Sequence, residues 1–345
     1  MRASVILVNY NGRSHLERCL PSVLSALTPE DEVLMVDNGS TDGSADWVTE
    51  RFPSVRLVRT AVNRGFGAGC NLGARHARGK YLVFLNPDTT VVPGWLDALL
   101  IPLSDPQVAL VTPCILRMDD SGRINAAGNG VHPTGLAFCR GAGMPPEAFP
   151  VPENVAAISG AAFSVRREVW DALGGMDETF FLYVEDTDLS WRAQLAGYRC
   201  LYVPEMGVYH DYDLRFGEGK FYFQERNRYL LLLKNLRWRT LLLLLPSLLL
   251  AEVVTWGFLL MSCPRRWKEK IRAYLWVVRH WRDVLSRRRA VQALRRTPDR
   301  DLLARCTPYL AYEQTGRTLA ARWAHRLLDP VFWLLDRLTM LLVRW

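Results

Sequence analysis

The fold is decided by residues 4–44, SVILVNYNGRSHLERCLPSVLSALTPEDEVLMVDNGSTDGS. The stretch begins with an apolar run at Val5–Val8, continues through a helical pattern at Ser14–Leu27 and returns to an apolar run at Glu32–Val36. Short β-branched runs bounded by Gly, Asn and Pro predict strands, and apolar residues three and four positions apart predict a helix. Strand, helix and strand in this order predict a parallel α/β sheet covered on both faces.

The same alternation continues along the chain. Strands are predicted at Val55–Val58 and Tyr81–Leu85, with helical patterns at Ser44–Glu50 and Gly69–Ala77 between the strands. In open α/β sheets, ligands bind beyond the carboxyl ends of the strands. Acceptor-rich turns follow three of the predicted strands, and they are therefore the first candidates for a binding site: Asn9-Tyr10-Asn11, Asp37-Asn38-Gly39 and Asn86-Pro87-Asp88.

The composition is that of an ordinary globular chain with unevenly placed charge. The 345 residues are 49% hydrophobic and carry a formal net charge of +8, which excludes disordered and fibrous classes. From Ser262 to the end, 19 lysines and arginines stand against seven acids, so the positive charge is concentrated in the tail. The seven cysteines show no metal-binding spacing and indicate a reducing compartment rather than a secreted disulfide scaffold.

The last third of the chain has a different character. A helix over Thr240–Met261 would be about 33 Å long, enough to cross a bilayer, but Pro246 and Glu252 argue against a simple span. Beyond it, Arg265–Arg296 and Leu319–Trp345 interleave Trp and aliphatic residues with arginine, which is typical of helices lying in an anionic membrane surface. Two other interpretations stay open: the helices pack together or dimerise in water, or they bind nucleic acid, which so many Leu and Trp residues disfavour.

Three internal segments carry residues suited to chemistry. The Gly-rich run Asn63–Gly73 would let backbone approach a ligand, but its spacing matches no dinucleotide fingerprint, which disfavours a nicotinamide enzyme. Asp88 follows a predicted strand, where a carboxylate either holds a divalent cation bridging a diphosphate or only caps the next segment. Glu185 and Asp186 open a predicted helix after an aromatic run, as a general base or as ordinary first-turn acids.

Together these segments resemble the inverting family 2 glycosyltransferases with the GT-A fold, especially the bacterial rhamnosyltransferase-like branch. The resemblance covers roughly residues 3–235 and rests on seven ordered motifs: Val5–Gly12, Val36–Ser44, Asn63–Gly73, Leu85–Thr89, Ser159–Phe163, Glu185–Asp188 and Arg226–Arg228. It implies an α/β catalytic domain over residues 1–235, built on a Rossmann-like mixed sheet flanked by helices. A helical, amphipathic region over residues 236–345 would follow and would bind a membrane, oligomerise, or both.

The resemblance also implies roles for individual residues. Asp186 would be the general base, with Glu185 as its neighbour and alternate. Asp88 and His210 would hold Mg²⁺ or Mn²⁺, although Asn86-Pro87-Asp88 replaces the usual D-x-D motif and His210 could instead be structural. The residues implied at the nucleotide-sugar are Tyr10, Asp37, Asn63, Arg64, Gly65, Asn86, Arg226 and Arg228, the two last being as well suited to a helix surface. Those implied at the acceptor are Gly160, Ala161 and Trp191.

The implied activity is sugar transfer with inversion, of rhamnose from dTDP-rhamnose or of another sugar from a UDP-sugar. The acceptor would be a saccharide or lipid-linked saccharide of a bacterial surface polysaccharide. We expect the enzyme at the cytoplasmic face of the cell membrane, bound to the inner leaflet, as a homo-oligomer or a single chain and without nucleic acid. Two alternatives are a nucleotidyltransferase, which needs a basic Gly-rich loop that Asn9–Gly12 lacks, and a catalytically silent scaffold, which the Asn86 substitution leaves open.

Overall fold

A mixed β-sheet organises the first part of the chain in the computed structural model, which describes residues 1–211, 219–315 and 319–345. The strands, in chain order, are β1 Ala3–Asn9, β2 Glu32–Asn38, β3 Arg56–Thr60, β4 Tyr81–Leu85, β5 Thr89–Val91, β6 Val108–Arg117, β7 Ile124–Ala126, β8 Asn129–Val131, β9 Ala137–Cys139, β10 Glu153–Asn154, β11 Ala162–Arg166 and β12 Arg199–His210. Strands β8 and β9 form a small sheet of their own, and the other strands belong to the large sheet.

The large sheet has the order β10-β12-β6-β11-β4-β1-β2-β3, with β5 paired to β12 and β7 to β6. Strands β1 to β4 pair in parallel, as predicted, but β11 is antiparallel to both β4 and β6, so the sheet is mixed. Strands β1 and β2 are buried along their whole length. A central parallel strand covered on both faces reads as a continuous apolar run, which is why the sequence located these two strands.

Helices separate the strands of this sheet. They are α1 Arg13–Ser25, α2 Ser44–Arg51, α3 Phe66–His76, α4 Trp95–Leu100, α5 Arg167–Leu173 and α6 Glu185–Leu195. Helix α1 buries Leu16, Cys19, Leu20 and Val23, which lie on one face because of their spacing of three and four residues. The predicted alternation of strand and helix is therefore confirmed through β4.

The remaining helices are α7 Lys220–Asn235, α8 Trp238–Leu243, α9 Leu245–Ser262, α10 Trp267–Arg279, α11 Trp281–Leu294, α12 Asp299–Leu303 and α13 Leu319–Leu342. By their contacts the described residues fall into two units. We call the first the sheet unit, Met1–Asn129, Cys139–Ala193 and the strand after Tyr198. We call the second the helical unit, Gly130–Phe138, Gln194–Gly197 and the described residues from Gly219 onward.

The division between the units differs from the predicted boundary at residue 235. Helix α7 belongs to the helical unit because it packs along α10 and α11. The predicted helix over Thr240–Met261 is divided at Leu244 into α8 and α9, with Pro246 in the first turn of α9, where its missing N–H costs nothing. Among the described residues, α9 is the one helix whose length and composition would let it cross a membrane.

Candidate active site

A cavity of about 260 Å³ lies at the carboxyl ends of β1, β2 and β4 in the sheet unit. This is the place where an open α/β sheet binds its ligand. Its wall includes five of the residues to which the resemblance gave a role at the nucleotide-sugar or the metal: Tyr10, Asn63, Gly65, Asn86 and Asp88. Other wall residues are Asn9, His15, Asn38, Phe66, Phe181 and Leu182. The structure thus brings four separate sequence motifs to one cavity.

Asn38 holds the Gly-rich loop at this cavity. Its Nδ2 donates to Asn63 Oδ1 and to the Gly65 carbonyl oxygen, each at 3.0 Å, and its Oδ1 accepts from the Arg64 N–H at 3.1 Å. Gly65 has a φ of +88°, and a Cβ there would meet the Phe181 carbonyl oxygen at 2.3 Å. No other residue type fits at this position without moving the loop. The sequence places Asn38 among the polar residues at a strand end, but the resemblance implied a nucleotide contact only for its neighbour Asp37.

The other residues predicted at the nucleotide base lie around this wall in different settings. Tyr10 stands at the rim with 52% of its surface exposed. Arg64 is also exposed and pairs with Glu178 at 3.2 Å. Asp37 is buried behind the wall, and its Oδ1 accepts from the Ser40 N–H at 3.3 Å. Contact of Asp37 with a base stays a prediction.

Asp88 and His210 are brought together across two strands. His210 ends β12 and pairs with Thr89 of β5, one residue after Asp88. This register leaves His210 Nε2 3.2 Å from Asp88 Oδ1, while His210 Nδ1 lies 3.1 Å from Asn125 Oδ1. An imidazole whose second nitrogen meets an oxygen partner has a fixed ring orientation. The sequence did not identify Asn125, because its contact with His210 depends on how strands far apart in the chain pair.

The Asp88 pair suits a divalent cation that a diphosphate completes. Asp88 Oδ1 is buried and accepts no hydrogen bond from any described residue. A buried oxygen without a donor is costly unless a cation or a proton satisfies it. No cluster of three His, Cys, Asp or Glu side chains occurs within residues 1–211, 219–315 and 319–345, so the remaining ligands would come from substrate and water.

Asp186 is held by hydrogen bonds at the start of α6. Its Oδ2 accepts from the Gly160 N–H at 2.9 Å and from Asn129 Nδ2 at 3.0 Å, and its Oδ1 accepts from the Thr187 N–H at 2.6 Å. Burial raises the pKa of Asp186, and these donors oppose the rise by stabilising the ionised form. Gly160 allows the approach, because a Cβ there would lie 3.2 Å from Asp186 Oδ2.

Glu185 differs from its neighbour in being enclosed. It is 5% exposed, and its Oε2 has no hydrogen-bond partner among the described residues. Burial, followed by the charge of Asp186, raises the pKa of Glu185 to about 8. Between two adjacent buried carboxyls, the negative charge is favoured on the one that accepts more hydrogen bonds. We therefore assign the proton to Glu185 and the charge to Asp186.

The segment before these acids has a strained backbone. Phe181, Tyr183 and Val184 have φ values of +63°, +69° and +71°. Such values are rare outside glycine, and for a β-branched residue such as Val184 they mark a true outlier. Strain of this kind persists only where surrounding contacts impose it, and it concentrates at functional sites. The Phe66 N–H provides one such contact by donating to the Phe181 carbonyl oxygen at 2.7 Å.

The acceptor residues predicted from the sequence need correction. Gly160 lies beside Asp186, and its contact with an acceptor stays a prediction. Trp191, however, is 0% exposed, so its ring cannot stack on a sugar, and that prediction is wrong. The side chain of Ala161 packs in the buried core, and its carbonyl accepts from the Asn86 N–H at 2.9 Å, so Ala161 supports the loop rather than facing an acceptor. A helical pattern identifies a buried face but not which residue of it reaches a cavity.

The two arginines of α7 also differ from expectation. Arg228 is 1% exposed and is enclosed by acids of the helical unit, with Glu225 at 2.9 Å and Glu252 also paired to it. A guanidinium neutralised in this way is not available to a diphosphate, so the role predicted for Arg228 is wrong. Arg226 is buried with its guanidinium over the rings of Tyr222, Phe223 and Trp276, and its contact with a nucleotide stays a prediction.

Known proteins resemble the chain in sequence. The profile described as Glycosyl transferase family 2 matches residues 4–172. N-acetylglucosaminyl-diphospho-decaprenol L-rhamnosyltransferase of Mycobacterium tuberculosis is 33% identical over an alignment of 234 residues. The alignment covers 60% of this chain and 75% of that protein. The O-antigen biosynthesis protein RfbC of Myxococcus xanthus is 33% identical over 220 residues, covering 59% of this chain and 17% of that protein.

Solved structures resemble it in fold. Staphylococcus aureus TarS 1–349 in complex with UDP-GlcNAc has a TM-score of 0.56 at 16% identity, covering 99% of this chain and 89% of that one. GalNAc-T7 with UDP, GalNAc and Mn²⁺ has a TM-score of 0.55 at 19% identity, covering 67% of this chain and 47% of that one. At such identities the likeness is evidence for the fold alone, and the predicted GT-A fold is confirmed.

Proposed function

Because the chain belongs to glycosyl transferase family 2 and is a glycosyltransferase, we propose that it transfers rhamnose from dTDP-rhamnose to a lipid-linked saccharide. The reaction would invert the anomeric carbon and serve synthesis of a bacterial surface polysaccharide at the cytoplasmic face of the membrane. The name of the mycobacterial relative supports the sugar and the class of acceptor. The observation that supports this chemistry is the setting of Asp186, whose carboxylate accepts hydrogen bonds from three N–H donors, one of them the Gly160 N–H.

Asp186 would act as the general base. An acceptor hydroxyl attacks a sugar carbon poorly until its proton is leaving, and a positioned carboxylate contributes typically about 10²–10⁴-fold. The hydroxyl oxygen forms a bond to the anomeric carbon while the bond from that carbon to the diphosphate oxygen breaks. The hydroxyl proton passes to Asp186. Glu185 would be protonated and neutral, so it would add no second negative charge beside Asp186.

The donor would occupy the cavity at the ends of β1, β2 and β4. Tyr10 would cover the base at the rim, and the loop that Asn38 holds would place the Gly65 backbone against the donor. Asp88 and His210 would hold Mg²⁺ or Mn²⁺. Such an ion, when bound, offsets the charge that develops on the departing diphosphate. Thymine and uracil differ by one methyl group, so a UDP-sugar is the alternative donor.

Calorimetric titration with dTDP, UDP, GDP and NAD, each with and without Mn²⁺, tests the donor site. We expect dTDP to bind in a metal-dependent way and NAD not to bind. Transfer is then measured with labelled dTDP-rhamnose and a short-chain N-acetylglucosaminyl-diphospho-polyprenol. If UDP were the one nucleotide to bind in a metal-dependent way, the proposed donor would be a UDP-sugar instead of dTDP-rhamnose. Absence of binding for every nucleotide, in the presence and absence of acceptor, would contradict the proposal.

A further inference from the structure

The exposed face of α13 is apolar over most of its length. Large apolar side chains recur on it at intervals of three and four residues, which places them on one side of the helix. The stripe consists of Trp323, Leu327, Val331, Leu334, Leu338 and Leu341, each between 43% and 70% exposed. It extends about 27 Å along the helix axis. An apolar stripe of this size facing water marks an interaction surface.

The stripe is not the face with which α13 packs into its own unit. Phe332, on the other side of the helix, is 1% exposed, and Val343, directly after the helix, is 0% exposed. Phe332 belongs to a buried cluster with Ala251 of α9 and with Tyr312. Helix α13 therefore has two apolar sides, and only one of them is used within the helical unit.

Helix α9 repeats this arrangement beside α13. Leu245, Leu249, Val253 and Leu260 recur on its exposed side, between 47% and 68% exposed. Ala251, on the opposite side, is buried in the cluster shared with α13. We call the exposed sides of α9 and α13 the apolar surface.

The one acid of α9 is neutralised by cationic side chains of the helical unit. Glu252 pairs with Lys270 of α10 at 3.1 Å and with Arg228 of α7, and it accepts from Tyr274. Lys270 is itself 0% exposed and also pairs with Glu225 at 3.3 Å. If α9 crossed a bilayer, this network of charges from three helices would enter the hydrocarbon with it. Such a cost favours a helix that lies along the membrane surface.

Arginines border the apolar stripe of α13. Arg322, Arg326 and Arg337 each immediately precede a residue of the stripe, and all three are exposed. Their position along one edge is that of snorkelling side chains whose charged ends reach lipid phosphates. A second copy of the chain would bring like charges together across the same face. Charge complementarity therefore favours an anionic bilayer as the occupant.

We propose that the apolar surface docks the protein on an anionic bilayer, with α9 and α13 lying in the interface and neither crossing it. The apolar side chains would enter the boundary between headgroups and acyl chains, and the arginines would meet the phosphates. This inference deepens the proposed function by stating how the enzyme is held near its acceptor. It rests on the helical unit alone and does not depend on which sugar is transferred.

Flotation of the full-length protein with vesicles tests the docking. We expect binding to phosphatidylcholine vesicles containing phosphatidylglycerol, weakened by salt, and much weaker binding to phosphatidylcholine alone. The variant L327E/L334E should lower the partition coefficient at least tenfold. The matched control I101E/V151E introduces the same charge at exposed apolar positions of the sheet unit and should float like the wild type. Circular dichroism and thermal unfolding test whether each variant is folded, and nucleotide binding measured without vesicles reports on the proposed function separately.

Three results would overturn the inference. Equal flotation of L327E/L334E and the wild type would exclude the stripe as the docking site. Equal binding to neutral and anionic vesicles would remove the role of the arginines. A dimer without lipid, seen by analytical ultracentrifugation and abolished in L327E/L334E, would make a second copy the occupant.

The topology of α9 needs its own measurement. The substitutions R239C, in the first turn of α8, and R265C, just after the end of α9, introduce cysteines that are labelled in sealed inverted membrane vesicles with an impermeant maleimide. We expect both to react before permeabilisation, above the background of the wild-type cysteines. Protection of one end until detergent is added would show that the segment crosses the membrane and would contradict the proposal.

Discussion

Asp186 and Asp88 are carboxylates of the same unit with opposite surroundings. Asp186 accepts three hydrogen bonds from N–H groups, whereas the buried Oδ1 of Asp88 accepts none from the described residues and faces His210 Nε2 at 3.2 Å. N–H donors favour the ionised form of a carboxylate, which a general base requires. An oxygen without donors has its lone pairs available for a cation. The surroundings, rather than the residue type, would divide the two proposed roles.

The substitution D186N is the strongest test of this difference. It keeps the shape of the side chain but removes its basicity, so kcat should fall about 10²–10⁴-fold. Binding of dTDP should change less than about twofold, because the predicted donor contacts lie elsewhere. Kinetics and calorimetry on the same preparation measure the two effects.

The control for D186N is D171N, which removes an exposed carboxylate and should leave kcat unchanged. If D186N retained wild-type turnover, Asp186 would not be the base, and the roles of the two carboxylates would have to be reassigned.

The substitution D88N tests the other side of the comparison. An amide replaces the carboxylate that would meet a cation, so the gain in dTDP affinity on adding Mn²⁺ should fall about 10–100-fold. Affinity for dTDP without metal should stay close to that of the wild type, and calorimetry measures both quantities. An unchanged gain with Mn²⁺ in D88N would show that the cation binds at another place.

The sequence predicts the sheet and the cavity well because both depend on local patterns. The runs at Val5–Val8 and Glu32–Val36 are buried strands, and the polar residues that follow them, with those at Asn86-Pro87-Asp88, lie at or directly behind one cavity. Parallel strands place their carboxyl ends at one edge, so the order of motifs along the chain suffices to gather them.

The sequence predicts less well which side chains face the site. Trp191 is in the core, although it lies in the helix that the sequence predicted after Glu185, and Arg228 is enclosed by acids. Asn129 was missed because its contact with Asp186 joins residues 57 positions apart. The long-range contacts that place these side chains leave no periodic signal in the chain.

The substitution N129A gives the smallest expected effect and the finest view of the Asp186 site. Asn129 Nδ2 donates to Asp186 Oδ2 at 3.0 Å and thereby favours the ionised carboxylate. Removing this donor leaves the effect of burial, which raises the pKa of Asp186, opposed by fewer hydrogen bonds. Because the base must be ionised, the acidic limb of kcat/KM should move upward by about one pH unit.

The shape of the pH profile separates this role from a purely structural one. With the limb moved upward, N129A should lose activity below the limb and recover most of it on the alkaline side, where Asp186 is ionised in both proteins. Loss of the same fraction at every pH would mean that Asn129 only supports the loop carrying Ile158, whose carbonyl it also contacts at 3.0 Å. The exposed Asn154 provides the control, since N154A removes an amide distant from this hydrogen-bond network and should keep the wild-type limb. An acidic limb that moves in N129A and stays in place in N154A would establish that the hydrogen-bond donors around Asp186 set its charge. The buried Oδ1 of Asp88 has no such donors among the described residues.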